Sequence, residues 1–469
     1  VERLLTVESY IEEPFYARKR ADGDLGRYVR SLPEEERELR MEELRSEDRA
    51  QTADFLAWWV GRMLAGDEPL RERMVLFWHG HFTSSMEAVH SSYEMIQQNQ
   101  LFRRHGLGSF RALLYGVARD PAMLVYLDNA SSKKTHPNEN FARELLELFT
   151  LGEGNYGEDD VREVARAFTG WTQKNGRFEF ETRRHDYGAK RVLGVEGKFN
   201  GDDVLDLLLD QPACARHLAG RLLTYFEGCA PSVERRERFA QVLRESDYRI
   251  DVFLRALFLE PEFTRAETRA ARMTSPLDYL VGHARRLDLD ADPRLVVAGA
   301  GLLGQRLFYP PSVRGWEGGD AWATSASLLL RGELVGMMLG RVSGRDLTQL
   351  AVEAGAKEGE LAGDEPGAGE PAMQPEMRPK ERAEVRPKLS PELRALGRLD
   401  GRAHLNLTQR LARAGAAGDE ALARALVEEL LAIPAPSALV ARVAERLSAA
   451  RVEHELGSDP FAAHPEIAE

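Results

Sequence analysis

Between His136 and Trp171 the chain reads HPNENFARELLELFTLGEGNYGEDDVREVARAFTGW, with an unusual load of His, Asn, Glu and Arg at its start. Glu139 and Arg143 are four apart, as are Asn140 and Glu144, while Glu144 and Glu147 are three apart. Side chains at these spacings touch on a helix surface. Carboxyl groups so placed can serve as general acid and base, including on a glycosidic bond. The plainer alternative is a solvated face with one Glu–Arg pair. Upstream, His79 and His81 close the apolar run PLRERMVLFWHGH. Residues two apart do not share a helical face. Both rings can still reach one site if Gly80 unwinds the turn; otherwise they are satisfied core histidines. Glu87 and His90 follow at a spacing that metal-binding helices use. Downstream, His185-Asp186 is flanked by Arg183, Arg184 and Lys190. It fits either a flap over a cleft or a surface turn in which Asp186 bonds its own backbone. Trp316 and Trp322 stand among Pro and Gly in FYPPSVRGWEGGDAWA, suited to stacking on sugar rings or to capping the core.

The elements that must position these groups are mostly helices. Proline at 137 bars His136 from a helix interior, so Asn138 is placed to cap a helix and Glu139 to sit at its positive end. Phe141, Leu145, Leu148 and Phe149 then form one apolar stripe, and Gly152 and Gly154 end the helix. Glu158 to Asp160 open a second helix that buries Val161, Val164, Ala165 and Phe168 and ends at Gly170. Leu70, Met74, Phe77 and Trp78 mark the helix that carries His79. The period changes after Trp171: Phe178 and Phe180, then 191–195, alternate as in one two-stranded hairpin with Asp186-Tyr187-Gly188 near its turn. Asp202 or Asp203 caps the next helix, Gln211-Pro212 starts a long one carrying both cysteines, and Thr324-Ser325 caps a last core helix to about Leu339.

These patterns predict a mainly α chain: a multi-helix, bundle-like domain with a small β-hairpin insertion and a C-terminal helical subdomain. Residues 1–345 form the main domain, with the hairpin at about 174–195. A low-complexity linker covers 346–388, short amphipathic helices (405–412, 420–431, 437–447) make a small bundle within 389–455, and 456–469 is a tail. The net charge of −13 argues against general nucleic-acid binding or an anionic-membrane surface. No apolar run approaches the roughly 20 residues of a membrane span. Cys214 and Cys229 on one straight helix would lie roughly 22 Å apart, too far to bridge. No signal peptide is visible, and Val1 leaves open whether a leader has been removed. GxxxxGKS, GxSxG, CxxC and HExxH are absent from the sequence, and no Rossmann glycine pattern opens a strand–helix unit.

PLRERMVLFWHGHFTSS, LDNASSKKTHPNENFARELLELFTLGEGNYGEDDVREVARAFTGW, RHDYGAKRVLG, FNGDDVLDLLLDQPACARHLAGRL and YPPSVRGWEGGDAWATSASLLLR occur in that order. Together they resemble the bacterial domain-of-unknown-function 1800 family over roughly 70–339, and more weakly to the C-terminal helices. Gly80 departs from the Asn common after the first His, and Gly157 from the usual Thr cap. The resemblance implies a mostly helical protein without a settled activity, a periplasmic or secreted location, and a sulfatase-like protein encoded nearby as a partner. Its matching positions are His79, His81, His136, Asn138, Glu139, Asn140, Arg143, Glu144, His185, Asp186 and Trp316.

Two functions remain open on this sequence. The first is an exported hydrolase, metal-assisted or carboxylate-based, acting on a polysaccharide or related polymer. Glu139, Glu144, His185 and Asp186 would be catalytic, and Asn140, Arg143, Trp316 and Trp322 would bind substrate. His79, His81 and His136 would hold one divalent ion (Zn, Mn, Fe or Ca) that activates water. The second is a non-catalytic binding or scaffold protein whose His/Glu/Arg cluster is a hydrogen-bond network. Charge balance separates them: a structural network has Arg143, Arg184 and Lys190 neutralising Glu139, Glu144 and Asp186.

Overall fold

A computed structural model describes residues 28–29, 31–265, 268, 272–340, 343, 396, 418–431 and 436–453. The expected linker, the tail and the helix at 405–412 lie outside these residues. Among those described are seventeen helices and two two-stranded sheets, a mainly α fold with small hairpin insertions.

The chain begins with α1 (Glu34–Ala65), α2 (Pro69–His81), α3 (Met86–Val89), α4 (Ser92–His105), α5 (Phe110–Ala118) and α6 (Pro121–Tyr126). Next come α7 (Glu139–Glu144), which runs on as a π-helix over Leu145–Thr150, and α8 (Glu158–Ala167). Strands β1 (Trp171–Lys174), β2 (Arg177–Phe180), β3 (Lys190–Val192) and β4 (Val195–Gly197) precede α9 (Gly201–Asp210), α10 (Pro212–Glu227), α11 (Val233–Glu245) and α12 (Ile250–Leu259). The remainder is α13 (Pro276–Arg286), α14 (Pro293–Leu302), α15 (Ser325–Met338), α16 (Asp419–Leu431) and α17 (Ser437–Glu453). Residues up to Arg272 together with Leu307–Glu317 form one compact unit; Met273–Arg306 and the residues from Gly318 on form a second.

Local chemistry sets most of these boundaries. Ser91, Ser109, Asp120, Asn138, Asn200 and Ser232 each cap a helix by accepting from a backbone N–H two or three residues on. Asn200 takes the capping role expected of Asp202 or Asp203, and Asp203 returns a bond to the Asn200 N–H at 2.8 Å. Gly157 has no side chain to offer its helix, so only the return half of a capping box forms, from its N–H to Asp160 Oδ2 at 2.9 Å. Gly228, with φ of 81°, ends α10 ahead of Cys229, so only Cys214 lies in that helix; both cysteines are free.

In the first unit, Trp78 fixes the end of α2. Its ring packs on Phe77, Phe82 and Phe110 at centroid distances of 4.8, 5.6 and 5.8 Å, and its Nε1–H donates to Gly106 O at 2.9 Å. Burying such a ring contributes roughly 2–3 kcal/mol, with its N–H satisfied. The single expected hairpin is instead two. β1 and β2 pair through Asn175-Gly176, whose φ values of 52° and 65° suit the mirror-image turn that twisted strands favour. β3 and β4 pair through Leu193-Gly194. Asp186-Tyr187-Gly188 lies in the connection between the hairpins rather than in a turn, because the Asn-Gly pair closes the first hairpin earlier.

In the second unit α13 packs against α14, α15 and α16, and α16 against α17. Gln305 Oε1 caps Leu277 N–H at 2.9 Å, and the Arg331 guanidinium covers the Tyr279 ring at 4.8 Å.

Candidate active site

The segment around α7 is built as the sequence demands at its start and departs from it at its end. Asn138 Oδ1 accepts from Asn140 N–H at 2.8 Å, while the Asn138 N–H donates to Ser132 Oγ at 3.1 Å. After Glu144 the helix widens. Leu151 and Gly152 both donate to Leu146 O, at 2.9 and 3.2 Å, and Thr150 Oγ1 donates to Leu145 O at 2.5 Å. A π segment shifts the bonding register and frees carbonyls near its end. Two of these are taken by imidazoles: His217 Nε2 bonds Leu148 O at 2.8 Å and His81 Nε2 bonds Phe149 O at 3.2 Å. A carbonyl only accepts, so both rings carry a proton on Nε2. Burial, with Arg221 and His217 nearby, holds His81 neutral, well below the usual imidazole range. Gly152, at φ 81°, passes so close to His217 that a Cβ would stand 2.8 Å from Nδ1.

The candidates divide between the two ends of this helix, roughly 18 Å apart at 1.5 Å rise per residue. At its start His136 is exposed, with Nδ1 3.3 Å from Thr135 Oγ1. Its turn is tied to the hairpin connection by Lys134 N–H donating to Arg184 O at 2.7 Å. His185 is buried between the Phe180 and Tyr187 rings, and its Nδ1–H donates to Thr169 O at 2.8 Å. Asp186 accepts from Arg166 Nε and from Gly188 N–H, both at 2.8 Å, and the Arg166 guanidinium holds its carboxyl below the usual range. Lys190 Nζ donates to the Asp186 carbonyl at 2.5 Å, and Arg184 pairs with Glu181. Arg143 forms a two-pronged bond to Glu158 at 2.8 Å each, with Glu139 at 3.7 Å. Asn140 is exposed.

At the other end, His79 is buried and accepts on Nε2 from Phe308 N–H at 3.2 Å. Trp59, Phe308 and Trp316 meet its ring edge-on at 6.0, 5.5 and 5.3 Å, and burial pushes it down to about 3. The 308–317 loop lies on the end of α2. Gly315, at φ 79°, comes close enough that a Cβ would stand 2.6 Å from Gly80 O. Trp316 is half-buried with an unpartnered Nε1. Trp322 belongs to the second unit, where its carbonyl accepts from Ser327 Oγ at 2.8 Å. Among the described residues, no group of three or more His, Cys, Asp or Glu is placed to hold a metal ion.

Where the helix changes register, one carboxyl is left without a partner. Glu144 is half-buried and, among the described residues, has neither a hydrogen bond nor an ion pair. Burial and the neighbouring Glu147 raise its pKa above the ordinary carboxyl value, against a smaller pull from Arg314 and Arg143. Glu147 is held from both sides, by Arg314 Nη2 at 2.7 Å and by Tyr156 OH at 3.0 Å. Burial and that bond push Tyr156 up to about 12. Tyr126 is raised by burial and by the charges of Glu144 and Glu87. Of these neighbours, Arg314 sits in the Pro/Gly/Trp loop, whose composition marks the loop but not the residue. Tyr126, Tyr156 and His217 carry no signal in spacing, because only the fold brings them to α7 and its π extension.

The match to known proteins covers almost all of this architecture: a model described as protein of unknown function (DUF1800) matches residues 3–459. The chain belongs to the DUF1800 family. No curated protein and no solved structure matches this DUF1800 chain.

Proposed function

We propose that this DUF1800 protein is a carboxylate-based hydrolase of a polysaccharide or related polymer, with Glu144 as general acid and Glu147 as general base. The observation that carries the reading is Glu144 itself, a half-buried, unpaired carboxyl whose pKa is raised, three residues from a carboxyl oriented by Arg314 and Tyr156. Pairs of carboxyls in unlike environments divide into acid and base. Glu144 gives its proton to the leaving oxygen as the glycosidic C–O bond breaks. Water attacks the anomeric carbon and loses a proton to Glu147. Trp316, two residues beyond Arg314, supplies a flat apolar surface for a sugar ring.

The test is release of reducing ends from a panel of neutral and acidic polysaccharides. The parent protein is expected to cleave at least one, and Glu144→Gln to slow that cleavage by about 10²–10⁴-fold without lowering its melting temperature. Equal rates in parent and variant, or no cleavage by the parent, would remove the proposal. A scaffold role has one observation in its favour. His79, His185, Asp186 and the Nε2 of His81 bond the protein's own backbone and Arg166.

A further inference from the structure

A second glutamate without a partner lies on α4. Glu94 is 9% exposed, yet among the described residues its carboxyl has neither a hydrogen bond nor an ion pair. Other carboxyls meet the same helix on either side of it. Two residues earlier, Ser92 donates to Asp48 Oδ1 from its N–H at 3.2 Å and from its Oγ as well. Four residues later, on the same face, Gln98 Nε2 donates to the buried Asp120 at 2.8 Å. The tip of the β1–β2 hairpin lies against this spot. A Cβ on Gly176 would stand 3.7 Å from Glu94 Cγ and 3.2 Å from the Tyr93 ring.

The hairpin is tied down at its root and only packed at its tip. At the root, Gly170 N–H donates to Ser132 O at 3.1 Å, Glu181 N–H to Gly170 O at 2.8 Å, and Thr172 Oγ1 to Ala130 O at 2.9 Å. At the tip, Gly176 N–H donates to Gln173 Oε1 within the turn itself. Among the described residues, no hydrogen bond joins 174–177 to α4. A two-stranded hairpin without support is marginal in water.

An enclosed carboxyl without a partner keeps its proton, because ionising it there forfeits hydration. Burial, and next the charge of Asp48, raise Glu94 from 4.5 to about 7; burial raises Asp120 to about 7 as well. The cations at hand do not answer Glu94. Arg119, at the end of α5, is paired with Asp202, and Lys174 and Arg177 flank the turn as exposed side chains. Glu87 and His90, in and just after α3, are exposed too. Ionised Glu94 therefore needs water, and a raised tip admits it.

We propose that Glu94 is a proton-controlled latch for the β1–β2 hairpin: protonated, it packs under the tip, and ionised, it releases it. The latch does not depend on the hydrolase reading. With the tip raised Glu94 is an ordinary carboxyl, so the enclosed form holds the proton more tightly. Docking is fully supported below 4.5, weakens as pH rises from there, and levels off above about 7.

Amide hydrogen exchange of the full chain from pH 4.5 to 8, divided by the intrinsic rate at each pH, reads the opening. Protection at 173–178 is expected to fall by up to about tenfold per pH unit, the limit for one proton, and to level off above about 7. The β3–β4 hairpin of the same chain should show no such fall. Glu94→Gln, uncharged throughout, should keep its acid-limit protection across the range. Asp48→Asn keeps an acceptor for Ser92 but removes the neighbouring charge, so it should move the levelling point to lower pH. It also serves if Glu94→Gln does not fold, and an unmoved point there would overturn the latch. Protection that is flat with pH in the parent, or that falls equally in Glu94→Gln, would overturn it too. A fall abolished by Asp120→Asn and kept in Glu94→Gln would do the same, by assigning the proton to Asp120.

Discussion

Glu72 and Glu144 are two glutamates on helices of the same compact unit, and the fold treats them in opposite ways. Glu72, on α2, is almost fully enclosed and almost fully answered. Arg103 grips it with two bonds of 2.8 and 2.7 Å, Trp59 Nε1 donates at 3.1 Å, and Arg62 stands 3.6 Å away. Arg103 in turn donates to Asn99 at 3.0 Å and covers the Trp58 ring. Glu144 is half-enclosed and unanswered, although arginines are at hand: Arg143 is spent on Glu158, and Arg314 on Glu147 and Glu153. The contrast teaches that the chain can satisfy a carboxylate wherever stability requires it, and that Glu144 is left out where it does not. A half-buried carboxyl without a partner is harder to ionise, which is the direction of its raised pKa. Its persistence at a helix distorted into a π segment fits a site better than a scaffold.

The largest effect should come from breaking the satisfied side of this comparison. Glu72→Gln leaves the Arg103 charge buried without its counter-ion, and the expected loss is about 3–5 kcal/mol in chemical denaturation. A loss under about 1 kcal/mol would mean that the network is not structural, and the comparison would fail at its firm end.

Next in size is His79, which the comparison places with Glu72. His79→Ala removes the acceptor of Phe308 N–H and the contacts to three aromatic rings, for an expected cost of about 2–4 kcal/mol. Its acid limb has a definite sign. The folded pKa of about 3 lies below the ordinary 6.5, so the unfolded chain binds the proton more tightly. The stability supplied by the neutral ring is therefore complete above 6.5 and is lost as pH falls from there towards 3. His79→Gln, which can still accept from Phe308, should flatten that limb by at most about 1.4 kcal/mol per pH unit. A variant whose acid limb matches the parent's would show that the ring is not buried neutral.

Much of this division was legible in the sequence. Proline at 137 and Asn138 mark the start of α7, and Gly152 and Gly170 close their segments; of the apolar stripe, Phe141, Leu145 and Phe149 are buried, but Leu148 is only half-buried and Leu146 is buried in addition, inside the segment where the helix takes its π register. Glu144 was visible as one of a set of spaced carboxyls. What spacing could not give was the partner of each. Arg143 chose Glu158, fifteen residues on, over Glu139 in its own helix, and Asp186 was answered by Arg166 rather than by the side chain of Lys190. Two hairpins replace the expected one because alternation in Phe178, Phe180 and 191–195 does not show which strands pair. Asn175-Gly176 does show it, through its turn geometry. The π segment left no mark in the spacing, and the groups that take its freed carbonyls, His81 and His217, come from other helices.

The smallest effect, and the sharpest for the comparison, is on the stability of Glu144→Gln. A raised folded pKa means that the folded chain holds the Glu144 proton more tightly than the unfolded chain does. That contribution is fully present below the unfolded value of 4.5 and is lost as pH rises through the folded one. Glutamine mimics the protonated, uncharged carboxyl and cannot ionise, so it escapes the loss. Parent and variant should melt together in acid, and the variant should melt higher above the raised pKa, with the gap levelling off once the carboxyl is fully ionised. The same substitution at Glu72 should lower the melting temperature, because there the charge is answered. Thermal melts of the two variants from pH 4 to 8 would show opposite signs at neutral pH. A Glu144→Gln protein less stable than its parent at pH 7 would place Glu144 beside Glu72 as structural, and would remove the physical ground for giving it an acid–base role.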